Sequence, residues 1–75
     1  MEELVKFIVE NLVEDKEAIK ITTEKDDTAT VINVTVAPSE VGKVIGKNGK
    51  IAQSIRAIVR SAAAKSNTKY VIKIN

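Results

Sequence analysis

The spacing of apolar residues changes period three times within 75 residues, and that alternation limits the folds open to the chain. In residues 2–14, Leu4, Val5, Ile8, Val9 and Leu12 recur at intervals of three and four, as on one face of a helix. Glu2 and Glu3 suit the positive end of its dipole. Asp15-Lys16-Glu17 ends this helix, and Ile19, Ile21 and Thr23 then alternate with polar residues at the period of a half-buried strand. After the polar turn Lys25-Asp26-Asp27-Thr28, a second, β-branched strand carries Thr30, Ile32, Val34 and Val36 on one side, and the two strands pair as a hairpin.

Pro38 cannot donate to a sheet ladder and closes that strand, and Ser39 is placed to cap a short helix running to about Ile45. Gly46 stops this helix, and another begins near Gly49 with Ile51, Ile55, Ile58 and Ala62 at i, i+4, i+7 and i+11. Ser66-Asn67-Thr68 ends it, and Tyr70, Ile72 and Ile74 alternate with Lys69, Val71 and Lys73 in a closing strand. The order is helix, strand, strand, helix, helix, strand. A three-stranded sheet needs one face covered, and three helices with apolar stripes are available, so the pattern predicts a two-layer α+β domain over residues 1–75.

Composition narrows the chemistry. The chain has no His and no Cys, which removes the commonest acid–base residue, the commonest metal ligand, thiolate sites and disulfides. An enzyme, a metal site and a cofactor are therefore not expected. No apolar run approaches a membrane span and Met1-Glu2-Glu3 lacks a signal peptide's basic start, so the expected location is cytoplasmic. The net charge of +2 conceals a division at Pro38: residues 1–37 carry −5 and residues 38–75 carry +7, with Glu40 the only acid in the second half. A basic half of this kind is suited to a polyanion.

The most informative segment is Val41-Gly42-Lys43-Val44-Ile45-Gly46-Lys47-Asn48-Gly49-Lys50, where two helices meet at a Gly-x-x-Gly corner. A reversal this tight calls for backbone angles that Gly adopts without strain. The helix beginning at Gly49 presents N–H groups and a positive dipole end to an anion, with Lys47 and Lys50 beside it. Lys47 and Asn48 are the first candidates for phosphate contact. Gly42 lies one turn before Gly46, where the absence of a side chain fits either a close ligand or tight helix packing. Lys50, Gln53, Arg56 and Arg60 come at three- and four-residue intervals and extend the basic side of the helix. Ile45, Ile51, Ile55 and Ile58 read as core; Val41, Val44, Val31, Ile32 and Val34 are candidates for a groove floor, depending on pleat register.

An aliphatic pair, Gly-x-x-Gly and an apolar helix, here Val44-Ile45-Gly46-Lys47-Asn48-Gly49 with the helix that carries Ile51, Ile55 and Ile58, resembles the signature of the KH family. A helix and strand ahead of the strand-helix-helix-strand core resembles the prokaryotic, type II arrangement, most closely the small stand-alone bacterial KH proteins of the KhpA type, over essentially the whole chain. One departure is Ala52, where the family often has a large aliphatic residue. The resemblance implies a non-enzymatic module binding single-stranded RNA, with single-stranded DNA and ribosomal RNA as variants. Its loop would clamp about four unpaired nucleotides whose bases lie on an aliphatic groove. The nucleic-acid-binding set is then Gly42, Lys43, Gly46, Lys47, Asn48, Gly49, Lys50, Gln53 and Arg56. A four-nucleotide footprint without aromatic stacking binds weakly, so a homodimer or a heteromer with another KH-containing RNA-binding protein is expected, and the resemblance points to the KH-containing partner; Val59, Ala62, Ala63 and Ala64 offer a small-residue surface for it.

Other readings compete. Two aromatics, Phe7 and Tyr70, are too few for a base-stacking sheet of the RRM kind. A phosphate loop of nucleotide hydrolases fails because Gly42 and Gly46-Lys47 are one residue too close and Asn48 replaces the magnesium-binding hydroxyl. A helix-turn-helix for duplex DNA would use the same two helices, and a protein-interaction module would use the aliphatic groove.

Overall fold

The computed structural model describes residues 1–75 and has the predicted order. Helix α1 spans Glu2–Glu10, strand β1 Lys20–Lys25, strand β2 Thr30–Thr35, helix α2 Val41–Ile45, helix α3 Lys50–Ala62 and strand β3 Tyr70–Ile74. Single 3₁₀ turns occupy Lys16–Ala18, Pro38–Glu40 and Lys47–Gly49. The sheet order is β1-β2-β3, with β1 antiparallel and β3 parallel to the central strand.

Register explains which side chains meet the helices. Ile21 pairs with Val34 and Thr23 with Ile32 across the hairpin, while Ile32 and Val34 stand beside Ile72 and Ile74 of β3. These residues share one face, and Thr30, Ile32, Val34 and Ile72 on it are buried. Lys20, Thr22, Glu24, Thr35 and Lys73 lie on the other face and are exposed. The hairpin turn is set by Asp26, whose carboxylate accepts the Thr28 N–H at 2.7 Å, the Ala29 N–H at 2.7 Å and the Thr28 hydroxyl at 2.9 Å. Those bonds, the Thr28 N–H first, hold the Asp26 carboxyl below its ordinary range.

The helical layer closes the core. Val5, Val9 and Val13 from the N-terminal segment join Val44 of α2, Ile55 and Val59 of α3, and Val36 after β2 in one apolar cluster with the sheet. The Thr23 hydroxyl donates to Glu2, which ties the start of α1 to the edge strand.

Four expectations need correction. The long helix stops at Ala62, short of the expected end at Ser66-Asn67-Thr68, in a turn where the Ser66 N–H and hydroxyl both donate to the Ala63 carbonyl. The first helix ends at Glu10, not near residue 14, because the Asn11 side-chain amide donates to the Phe7 carbonyl at 2.7 Å and occupies a last-turn acceptor; Val13 reaches the core from the turn beyond. Ser39 caps nothing: the chain enters its 3₁₀ turn at Pro38 from Ala37, and no side chain caps α2. Ile58 is 45 % exposed, not core. The buried stripe of α3 is Ala52, Ile55 and Val59, continued by Ala63 just past its end; it is displaced around the helix from the one expected, and Ile58 falls on its flank.

Candidate nucleic-acid interface

The corner between α2 and α3 is built from left-handed backbone. Gly46 has φ 77° and ψ 173°, Asn48 φ 57° and ψ 25°, and Gly49 φ 74° and ψ 13°. The Gly46 N–H bonds to the Gly42 carbonyl at 2.8 Å and the Gly49 N–H to the Gly46 carbonyl at 3.1 Å, so the loop is a closed hydrogen-bonded turn. Asn is the side-chain-bearing residue most at ease in this region, which accounts for Asn48.

The glycines have different reasons to be there. A Cβ on Gly46 would lie 2.6 Å from Cγ1 and 2.8 Å from Cβ of Ile51, so the Ile51 side chain folds over the loop and leaves no room. Gly49 has open space and only its angle demands glycine. Gly42 is helical, exposed and has nothing within 4 Å of a Cβ. Tight helix packing is thus not what keeps Gly42 bare.

Lys47 and Asn48 are exposed at the tip and Lys50 is exposed at the first turn of α3. No side chain caps α3; the Lys50 N–H is taken by the Lys47 carbonyl, which leaves the N–H groups that follow it in the first turn to meet an anion. Gln53 and Arg56 are exposed further along the same helix, at three-residue intervals from Lys50 and the loop Gly46-Lys47-Asn48-Gly49 that precedes it. Lys43 differs. Its ammonium sits 3.7 Å from Glu40 and 4.0 Å from Glu14, and its charge is already engaged within the protein. Lys47, Lys50, Arg56 and Arg60 have no carboxylate within ion-pair distance.

Glu40, the one acid of the basic half, has a role that sequence reasoning missed. It is 5 % exposed, and its carboxylate accepts the Glu14 N–H at 2.6 Å and the Asp15 N–H at 2.9 Å. These two bonds hold its carboxyl below the ordinary carboxylate range; burial opposes them and Lys43 assists. Glu40 thereby fastens the segment that follows α1 to the start of α2, the helix that leads into the loop. Its isolation among eight basic residues was the available signal.

The expected groove floor also changes. Ile32, Val34 and Val44 are fully buried and cannot touch a ligand, and Val31 lies on the sheet face opposite the core. Val41, Ile45 and Ile51 remain partly accessible near the loop. Ala52 is buried, and Ile51, partly buried against the core cluster, also packs on Gly46. Of the small-residue surface, Val59 and Ala63 are buried, while Ala62 and Ala64 are exposed.

Comparison with known proteins agrees with this architecture. The family model described as KhpA/KhpB, KH domain, matches residues 2–74. The chain is 39% identical over 74 residues to the RNA-binding protein KhpA of Clostridium perfringens, covering 99% of each. It is 40% identical over 74 residues to that of Caldanaerobacter subterraneus, again covering 99% of each, and 36% identical over 72 residues to that of Borreliella burgdorferi, covering 96% of this chain and 88% of the relative. A loop of left-handed glycines between two helices, a mixed three-stranded sheet beneath them and a match along the whole chain lead to one conclusion: this chain belongs to the KhpA/KhpB family of KH domains.

Proposed function

We propose that residues 1–75 act as one KH domain, a non-enzymatic cytoplasmic module that holds the backbone of about four unpaired RNA nucleotides in the loop Gly46-Lys47-Asn48-Gly49. The observation that carries this reading is the loop itself: two exposed side chains, Lys47 and Asn48, on a hydrogen-bonded turn ahead of a helix that no side chain caps, with unpaired Lys50 beside it. Phosphate oxygens approach the helix N-terminus, and Gly42 leaves a bare helix surface over which the strand can pass. Gln53 and Arg56 continue the track. Lys43, held by Glu14 and Glu40, contributes less than the other lysines.

The relatives carry the name RNA-binding protein, which supports RNA as the polymer. Duplex DNA is disfavoured because a three-stranded sheet, in place of the usual helical frame, backs the two helices, and a glycine stands at both ends of their turn. The test is binding of short single-stranded RNA against duplex across a salt series. Three to four neutralised phosphates give a log–log slope of about −2 to −3. A slope near zero, or preference for duplex, overturns the reading.

A second reading concerns assembly. Ile58 exposes 45 % of its surface beside exposed Ala62, one turn on, which supports pairing of this helix flank with a second copy or another KH protein. The family description names two such proteins, KhpA and KhpB. Two weak four-nucleotide sites held together gain affinity through effective concentration.

A further inference from the structure

Beyond the loop, α3 runs about 15 Å from Lys50 to Arg60, at the usual helical rise, before the chain turns back into β3. There a cavity of about 550 Å³ opens between the C-terminal half of α3, the 63–69 turn and the start of β3. Arg56 and Arg60 enter it from the helix, Lys69 and Asn67 from the turn, and Tyr70 and Val71 from the strand. No acidic residue lines it, and none of its three cations has an ion-pair partner. Asn67 is held at φ 56°, a left-handed turn that an amide side chain tolerates. Tyr70 is half-buried and is the only tyrosine of the chain.

We propose that this cavity is a second RNA-contact site, where a strand leaving the loop along α3 sets phosphates on Arg60 and Lys69 and a base against Tyr70. The proposal rests on the loop reading above, since the loop fixes where the strand begins. Charge complementarity selects the occupant: an apolar floor rimmed by unpaired cations matches a base with its phosphates, and Arg56 is common to the basic track and to the cavity. The footprint is then longer than four nucleotides.

The test uses the whole chain with single-stranded RNA of about four and about ten nucleotides, affinities being read from amide chemical shifts. At about 0.15 M salt, two lost single-strand phosphate contacts weaken binding about tenfold and reduce the log–log slope by about 1.4. Arg60→Ala with Lys69→Ala, both exposed positions, should therefore bind the longer RNA about tenfold more weakly than the unaltered chain and the shorter RNA equally well. Tyr70 fluorescence, free of any tryptophan background, should be quenched by the longer RNA only. Unchanged affinity of the double variant for the longer RNA, or equal quenching by both lengths, overturns the second site. Failure of the loop reading shows differently: Lys47→Asp with Asn48→Asp would then still bind the shorter RNA.

Discussion

Replacing each glycine with alanine should give three different outcomes, because the three positions are bare for different reasons. Gly46 combines φ 77° and ψ 173°, a region nearly closed to other residues and costing about 1–3 kcal/mol, with a Cβ 2.6 Å from Ile51 Cγ1. Relieving that overlap requires Ile51 to move and adds about 1–3 kcal/mol. Gly46→Ala should thus lose about 2–6 kcal/mol, comparable to the whole stability of about 4–11 kcal/mol for a domain of this length. Gly49→Ala meets no atom and bears only the left-handed penalty of about 1–2 kcal/mol. Gly42→Ala sits in helical backbone with open space and should gain up to about 1 kcal/mol. Urea unfolding followed by far-ultraviolet circular dichroism measures all three. Equal losses at Gly46 and Gly49, or a destabilised Gly42→Ala, would refute the assignment. If RNA passes over Gly42, the stabilised Gly42→Ala should also bind it less well, separating stability from function.

Acid should loosen the domain through Glu40. Its folded-state carboxyl lies below the unfolded value, so the stability it contributes is complete above the ordinary carboxylate range and is lost as pH falls through the depressed value. Unfolding midpoints between about pH 7 and pH 3 should fall less steeply in Glu40→Gln than in the unaltered chain, and parallel curves would contradict this. On the helix flank, Ile58→Glu should leave the fold intact and abolish self-association in light scattering; an unchanged molecular mass would exclude that surface.

Much of the fold was legible because binary patterning determined it: the two strand periods of β1 and β2, the break at Pro38 and the Gly-x-x-Gly corner all fall where the sequence places them. Less legible were features that depend on how elements pack. The buried side of α3 takes in Ala52, and Ala63 just past its end, which periodicity alone ranks below Ile51 and Ile58 because alanine is a weak apolar signal. Ser39 has a capping side chain but sits inside a turn that Pro38 has already begun. The site residues were found by their position on the loop and first turns of α3, whereas the engagement of Lys43 depends on Glu14, a residue 29 positions away in sequence that only the fold brings near. Glu40 was visible as a lone acid, but the groups that donate to it, the Glu14 and Asp15 N–H, belong to a turn that no local pattern connects to it.

The proposed hold of the Gly46–Gly49 loop on RNA is tested most directly by the RNA affinity of Lys47→Asp with Asn48→Asp. Both side chains are exposed and neither makes a hydrogen bond or ion pair within the protein, so the variant should keep the circular dichroism spectrum and unfolding midpoint of the unaltered chain. Two carboxylates at the phosphate position repel the ligand, and binding to short single-stranded RNA should disappear. A folded double variant that binds this RNA with unchanged affinity would contradict the account.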